Sequence, residues 1–204
     1  MTKKTIRPFK AFSEKSSFQQ TITLPKSKHL AIEIGCGVGY HPISYAQKNP
    51  ASFLIAIEKT AAKFAKFNRR YENHSKPQNL LPVHSNAVNW IAENIAPNQI
   101  DHYFILYPNP YPKLGQQNKR WHAMPFMSYL IKTLKPKGRL TLATNISSYK
   151  EEAVDFMTNQ WSLDLVECQK VHNSSRTHFE KKYLESKQIC WNMVFEKKKP
   201  SLVC

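Results

Sequence analysis

Short apolar runs alternate with amphipathic stretches along the chain from residue 29 onward. The apolar runs have the length and composition of strands, which they predict at residues 29–35, 52–58, 79–85, 101–107, 138–145 and 187–197. The amphipathic stretches predict helices at residues 42–49, 60–73, 87–95, 122–134 and 148–160. Strands and helices that alternate in this way form βαβ units, in which helices cover both faces of a mostly parallel sheet. We therefore predict one α/β domain over residues 29–204.

Residues 1–28 are basic and polar without a sustained period, so they predict a flexible basic arm. A plain disordered tail fits this segment equally well. No apolar run follows the basic start as a signal peptide requires, and none approaches membrane-spanning length. The four cysteines are scattered, without a CxxC pair or a histidine at metal-ligand spacing. These features favour a cytoplasmic protein without a metal site or a disulfide framework.

The chain carries a strong positive charge, with 30 Lys and Arg against 14 Asp and Glu and a net charge of +16. Such a surplus favours a polyanionic partner, because each neutralised phosphate releases condensed counterions. A solubility device and attraction to anionic lipid are alternatives, but nucleic acid fits better. The predicted second helix region carries Lys59, Lys63, Lys66 and Arg70 on one face, for which a solvated surface is the simpler interpretation.

The segment "EIGCGVGY" places Gly35, Gly37 and Gly39 between the first predicted strand and the first predicted helix. Glycines there let the backbone approach a ligand at the carboxyl edge of the sheet. Glu58 ends the second strand, where an acidic residue accepts hydrogen bonds from both hydroxyls of a ribose. The G-x-G-x-G spacing is not that of a dinucleotide loop, and Glu33 would repel a pyrophosphate but suits the amino group and sulfonium of S-adenosyl-L-methionine. A glycine turn beside a solvated glutamate is the weaker alternative.

Asn86 and a proline-rich segment are further candidates, because each follows a predicted strand. The amide oxygen of Asn86, after the third strand, can accept a hydrogen bond from an adenine amino group. After the fourth strand, "LYPNPYPKLGQQNKRW" packs three prolines and two tyrosines together before Lys119 and Arg120. The prolines stiffen this segment above the carboxyl edge of the sheet, where ligands of such folds bind. We therefore expect a rigid proline rim, residues 108–112, that carries Asn109.

With these residues assembled, the chain resembles the bacterial tRNA (guanine-N7-)-methyltransferases from about Ala31 to Lys197. Three segments carry the resemblance: "EIGCGVG…AIE", "PNPYPK" followed by "QQNKR", and "RTHFEKKY" before the last strand. In the second segment the family has Pro-Asp-Pro-Trp-Pro-Lys and a basic cluster, and in the third it has Thr-x-x-Glu. The resemblance implies a Rossmann-like class I methyltransferase fold with a mostly parallel, seven-stranded sheet. It also implies S-adenosyl-L-methionine as the cofactor and tRNA as the partner, and we expect a monomer or weak homodimer.

The resemblance also assigns roles to individual residues. The residues expected on the cofactor side, besides the glycine loop, are Glu33, Glu58, Asn86 and Asn109. The residues expected to hold the target guanosine are Lys113, Asn145, Thr177 and Glu180. The residues expected to face RNA phosphates are Lys113, Lys119 and Arg120. Among all of these, Glu180 is the candidate for gripping the Watson–Crick edge of the guanine with Thr177 beside it, and Asn109 is the candidate catalytic residue.

The chain departs from the family at the edge of the predicted site. Asn86, Asn109 and Asn145 stand where the family has Asp, and Gln117 and Asn118 replace the usual histidines. Each Asp-to-Asn exchange keeps an acceptor oxygen and removes a charge. Two alternatives therefore stay open: a methyltransferase that acts on another RNA or a small molecule, and a catalytically weak RNA-binding homologue.

Overall fold

The computed structural model describes Phe9, Leu24, Pro25 and residues 29–199. The predicted basic arm at residues 1–28 therefore lies outside the described part of the chain, except for Phe9, Leu24 and Pro25.

The described residues form a seven-stranded sheet with α-helices between most of the strands. The strands are β1 (His29–Ile34), β2 (Ser52–Glu58), β3 (Leu80–His84), β4 (Ile100–Leu106), β5 (Leu134–Thr144), β6 (Asp164–Val171) and β7 (Cys190–Glu196). The helices are α1 (Tyr40–Lys48), α2 (Ala61–Asn73), α3 (Ala87–Asn94), α4 (Phe126–Thr133), α5 (Ser147–Asp155) and α6 (His178–Glu185). Short 3₁₀ turns cover Leu114–Lys119 and Trp121–Ala123, and a π-helical turn, Phe156–Gln160, extends α5.

The strand order across the sheet is β3-β2-β1-β4-β5-β7-β6. The first five strands of that order run parallel, whereas β7 is antiparallel to both of its neighbours, β5 and β6. The chain order reverses between β1 and β4, and ligands of open α/β sheets bind at the carboxyl ends of the strands beside such a switch point. The predicted fold class is therefore confirmed, and the expected site falls at this switch point.

The residues of β1 alternate between two cores, one on each face of the sheet. Leu30, Ile32 and Ile34 pack in a core that also holds residues of α3, α4 and α5. Ala31 packs on the opposite face with residues of α1, α2 and α6. Because both faces are covered, the strands that carry the site are fixed from both sides.

Two elements, β6 and α6, were not predicted from the apolar pattern. The strand β6 lies at the edge of the sheet next to β7, and nearly all of its side chains are exposed, so no apolar face marks it. The α6 segment has few apolar positions and was interpreted only as a family motif. The predicted helix at residues 122–134 begins later, at Phe126, because a 3₁₀ turn and Pro125 precede it.

The glycine loop gives a matched pair of substitutions for testing how α1 is anchored. Gly37 and Gly39 have φ values of +62° and +85°, so alanine is disfavoured at both positions. A methyl group at Gly39 would lie 2.0 Å from Cδ2 of the buried Phe67, whereas one at Gly37 would meet open space. We expect Gly39→Ala to lower the free energy of unfolding by about 3 kcal/mol and Gly37→Ala by only about 1 kcal/mol. Urea denaturation of both variants measures this difference, and equal losses would contradict the close packing of Gly39 on α2.

Candidate active site

A cavity of about 460 Å³ lies at the carboxyl ends of β1 to β4. Its lining includes residues 33–38, 57–60, 85–88, 106–109 and 177–179. Each of the first four segments follows or ends one of these strands, and the last one begins α6. A cavity of this volume is within the usual range for small-molecule sites, about 300–1,000 Å³.

Glu58 anchors the glycine loop from the end of β2. Its Oε2 accepts a hydrogen bond from the backbone N–H of Gly37 at 3.0 Å, and its Oε1 accepts one from the backbone N–H of Thr60 at 2.7 Å. The side chain is buried but lines the cavity. A carboxylate oxygen can accept more than one hydrogen bond, so Glu58 keeps acceptor capacity for a ligand while its position is fixed.

The part of the cavity below the glycine loop contains two acidic side chains, Glu33 and Glu58. Glu33 is buried, and its Oε2 lies 2.7 Å from Nδ1 of His41 in α1. Burial raises the pKa of the Cys36 thiol, and the nearby carboxylates of Glu33 and Glu58 raise it further. The thiol therefore stays neutral, and the same two carboxylates favour a cationic group in this part of the cavity.

Asn86 lines the cavity and also caps α3. Its Oδ1 accepts a hydrogen bond from the backbone N–H of Val88 at 2.9 Å. The expected hydrogen bond from an adenine amino group to this oxygen therefore competes with its role in the helix cap. The Nδ2 group makes no hydrogen bond to another described residue and remains available as a donor.

Arg120 fixes the proline rim by hydrogen bonds to its backbone. Its guanidinium donates to the carbonyl oxygens of Pro110 at 2.9 Å and Tyr111 at 3.0 Å, and it forms an ion pair with Glu152. Asn109 lines the cavity, and its Oδ1 accepts from the backbone N–H of Tyr111 at 3.1 Å. The expectation that Arg120 faces RNA phosphates does not fit this geometry, because its guanidinium is directed into the protein and shapes the rim.

The other predicted substrate residues are not brought together at the cavity. Lys119 lines the cavity, but Lys113 is exposed and lies outside its lining. Asn145 also lies outside the lining, and its Nδ2 donates to Oε1 of Gln188 at 2.7 Å. The predicted roles of Lys113 and Asn145 at the guanosine therefore have no geometric support.

Glu180 is wholly buried and does not line the cavity. It accepts hydrogen bonds from the Tyr107 hydroxyl at 2.7 Å, the Ser174 hydroxyl at 2.5 Å and Nη2 of Arg176 at 2.7 Å. Burial alone raises the pKa of Glu180, but the hydrogen bonds from Arg176, Ser174 and Tyr107 outweigh burial and lower the pKa below its ordinary value. This side chain cannot grip a guanine here, because its carboxylate already binds the start of α6 to the end of β4. Thr177, in contrast, does line the cavity.

The depressed pKa of Glu180 makes a prediction about acid stability. Its ionised form contributes stability that is complete above an unfolded-state pKa of about 4.3 and is lost as the pH falls through the lower folded-state pKa. We expect Glu180→Gln to cost at least about 2 kcal/mol near pH 7, because the partly buried Arg176 loses its counter-charge. Denaturant unfolding should show that the difference in the free energy of unfolding between the wild type and Glu180→Gln becomes smaller near pH 3. An exposed control, Glu185→Gln, should show neither effect, and a gap that stays constant with pH would contradict the assignment.

Tyr107 and Arg176 hold the Glu180 carboxylate in place, and the sequence interpretation missed both residues. Tyr107 takes a positive φ of +52° at the end of β4, and the side chain of Arg176 donates three hydrogen bonds to Glu180. One available signal was the spacing of Thr177 and Glu180, which is that of a helix N-terminus. The Thr177 hydroxyl oxygen accepts from the backbone N–H of Glu180 at 3.0 Å and so caps α6.

The basic face of α2 is more than a solvated surface. Nε of Arg70 donates to the carbonyl oxygen of Val38 at 3.0 Å, and its guanidinium lies 3.8 Å from the ring centroid of Tyr40. Lys63 lines the cavity, with its Nζ 6.0 Å from the ring centroid of Phe179. The simpler interpretation therefore fails for Arg70, which connects α2 to the glycine loop, whereas Lys63 is exposed to solvent at the edge of the cavity.

The described residues hold neither a cluster of metal-binding side chains nor a membrane-spanning helix. Within Phe9, Leu24, Pro25 and residues 29–199, no group of three or more His, Cys, Asp or Glu could hold a metal ion. In that same part of the chain, no helix combines the length and the apolar character needed to cross a membrane.

The strand order, the antiparallel β7 and the glycine-lined cavity define a Rossmann-like class I methyltransferase fold. A solved structure of the 16S rRNA methyltransferase KamB is similar, with a TM-score of 0.65 over 85% of this chain and 90% of that chain. The sequence identity is only 13%, so this likeness concerns the fold alone.

Sequence comparison identifies the family. The family described as "Putative methyltransferase" matches residues 27–193, and the chain belongs to this methyltransferase family. A tRNA (guanine-N(7)-)-methyltransferase of Mycoplasma pneumoniae is 32% identical over 121 residues, which cover 59% of this chain and 57% of that protein. A tRNA (guanine-N(7)-)-methyltransferase of Geobacter metallireducens is 31% identical over 128 residues, which cover 63% and 60%. The matches thus span less than two thirds of either relative. Together with the family match, they confirm the predicted family resemblance.

Proposed function

We propose that this protein is an S-adenosyl-L-methionine-dependent methyltransferase that forms 7-methylguanosine in tRNA. The observation that carries the proposal is that the glycine loop, Glu58 and the proline rim line the same cavity. Membership of a methyltransferase family and the activities for which the two relatives are named support the same reaction. We keep a cytoplasmic location and a monomer or weak homodimer as predictions.

The residues around the glycine loop fit S-adenosyl-L-methionine. When bound, this cofactor supplies an electrophilic methyl group on a positively charged sulfur. In the proposed site, the remaining acceptor capacity of Glu58 takes the two ribose hydroxyls, and Glu33 takes the cationic amino group. We revise the role of Asn86, because its oxygen caps α3: its Nδ2 group would donate to a ring nitrogen of the adenine.

Guanine N7 already carries an in-plane lone pair, so no protein base has to deprotonate it. The work left to the protein is to hold N7 in line with the methyl group, a proximity effect worth up to about 7–11 kcal/mol in the ideal case. Asn109, Tyr111 and Trp121 line the cavity on the rim side, where the base would enter. Asn109 can position the base through a hydrogen bond, but its neutral amide cannot offset the positive charge that develops on the methylated ring.

A different acceptor is the second candidate, and the burial of Glu180 favours it. The Watson–Crick edge of guanine carries two donors, and the carboxylate expected to bind them is enclosed by Tyr107, Ser174 and Arg176. Asn109 offers an amide where the family has a carboxylate. A nucleoside or small molecule with fewer donors would need no such carboxylate.

Nucleoside mass spectrometry distinguishes these candidates. The purified protein is incubated with a pool of unmodified tRNA and cofactor with a labelled methyl group, and the RNA is digested to nucleosides. We expect labelled 7-methylguanosine that increases with time. Label in another nucleoside would favour the second candidate, and bound but unlabelled tRNA would favour a catalytically weak RNA-binding protein.

A further inference from the structure

A basic hollow of about 390 Å³ adjoins the cavity on the side of α2. We call it the α2 basic patch, and its lining includes Tyr40, Lys66, Arg69, Arg70, His74 and His178. Among the described residues, no Asp or Glu lines it. Lys66, Arg69 and Arg70 lie three and four residues apart, so their side chains share one face of the helix.

The cations of this patch are not neutralised inside the protein. None of Lys66, Arg69 and Arg70 forms an ion pair with another described residue, and the nearby Glu72 already pairs with Lys76 at 3.0 Å. Three adjacent unpaired cations repel one another, and this repulsion is relieved when an anion binds. The patch therefore favours an external anion.

One of these cations is also held in place before any ligand binds. Nε of Arg70 donates to the carbonyl oxygen of Val38, and the guanidinium lies over the ring of Tyr40. The ring of Tyr40 in turn is nearly parallel to that of His178, with an interplanar angle of 16° and centroids 6.4 Å apart. A guanidinium fixed in this way loses little conformational freedom when it binds a phosphate.

The patch and the cavity form one continuous surface. Val38, Tyr40 and His178 line both of them, so the patch and the cavity adjoin at these three residues. A polymer whose target nucleotide occupies the cavity must pass over one of the neighbouring surfaces as it leaves. The α2 basic patch is such a surface, and its charge is opposite to that of an RNA backbone.

We propose that the α2 basic patch binds backbone phosphates of the RNA next to the target nucleotide. This inference rests on the proposed function, because it takes tRNA as the polymer that enters the cavity. Arg70 supplies the preorganised contact, while Lys66 and Arg69 add charge along the same helix face. The patch would then set the affinity for tRNA and leave the affinity for the cofactor unchanged, since Lys66 and Arg69 do not line the cavity.

The test uses a double variant, Lys66→Gln with Arg69→Gln, and a control with the same change in charge. The control is Lys48→Gln with Lys132→Gln. These exposed lysines lie in the last turns of α1 and α4, near the amino ends of the parallel strands and thus at the edge of the sheet opposite to the cavity. Fluorescence anisotropy with a labelled, unmodified tRNA transcript gives Kd between about 50 and 200 mM salt. Circular dichroism checks folding, and calorimetry checks cofactor binding.

We expect the patch variant to raise Kd for tRNA at least tenfold and to make the plot of log affinity against log salt less steep by about 2, which corresponds to two lost phosphate contacts. In methyl-transfer assays the loss should fall on KM for tRNA. The control should bind tRNA with nearly wild-type affinity. If the patch and control variants lose affinity equally, or if the salt dependence is unchanged, the inference is overturned.

The same data separate this inference from the proposed function. A wild-type protein that methylates tRNA, together with a patch variant that binds tRNA normally, would support the proposed function and contradict the phosphate-binding role of the patch. A wild-type protein that binds tRNA without methylating it, together with a weakened patch variant, would support the patch and contradict the proposed reaction.

Discussion

Replacing Glu58 by alanine is expected to lower the affinity for S-adenosyl-L-methionine at least a hundredfold. In the proposed site two ribose hydroxyls donate to this carboxylate, and each charge-assisted hydrogen bond contributes about 1.5–3 kcal/mol. The loss of both exceeds the roughly 2.8 kcal/mol that corresponds to a hundredfold change in Kd. The substitution also frees the N–H groups of Gly37 and Thr60, so the glycine loop loses an anchor.

Two further variants separate the charge of Glu58 from general damage. Glu58→Gln keeps an acceptor oxygen of the same shape and should show an intermediate loss. Glu93→Ala removes an exposed carboxylate near the end of α3 and should bind the cofactor like the wild type. Calorimetry that shows unchanged affinity in a folded Glu58→Ala protein would remove Glu58 from the cofactor site.

Replacing Asn109 by aspartate is expected to raise the rate of methyl transfer to tRNA about 5- to 30-fold. Exchanging a neutral hydrogen bond for a charge-assisted one is worth about 1–2 kcal/mol, and the charge matters most as the guanine ring becomes cationic. The gain should therefore appear at saturating cofactor more than in cofactor affinity. The variant should fold normally, because an aspartate oxygen can still accept the hydrogen bond from the backbone N–H of Tyr111.

Asn145→Asp is the matched control for this prediction, because it makes the same chemical change outside the cavity lining. It should leave the rate close to that of the wild type. The assay counts 7-methylguanosine against time with one tRNA pool. If Asn109→Asp is folded, binds the cofactor and is no faster than the wild type, the amide does not merely weaken the reaction. A site rebuilt for another acceptor would instead lose its native reaction in this variant.

The meeting of the glycine loop, Glu58 and Asn109 at one edge of the sheet was predictable because it depends on short-range pattern. The glycines follow β1 directly, Glu58 ends β2 and Asn109 follows β4, so parallel strands bring all three segments to one edge of the sheet. The same logic placed the proline rim above that edge. In each case the position in the fold follows from the position along a strand.

Side-chain partners were not predictable in the same way. The basic residue Arg120 follows the rim along the chain and was predicted to face RNA phosphates, yet it binds rim carbonyls and Glu152 from another part of the chain. Glu180 likewise pairs with Tyr107, which is 73 residues away in sequence. Such choices depend on which groups meet when the helices pack, and a local pattern does not contain that information.

The most direct test of the central claim compares two tRNA transcripts, one made with guanosine and one with 7-deazaguanosine. The second transcript has a carbon at position 7 and therefore offers no lone pair there. With labelled S-adenosyl-L-methionine and the wild-type protein, we predict methyl transfer to the first transcript, recovered as 7-methylguanosine, and none to the second. Equal labelling of both transcripts would contradict guanine N7 as the acceptor.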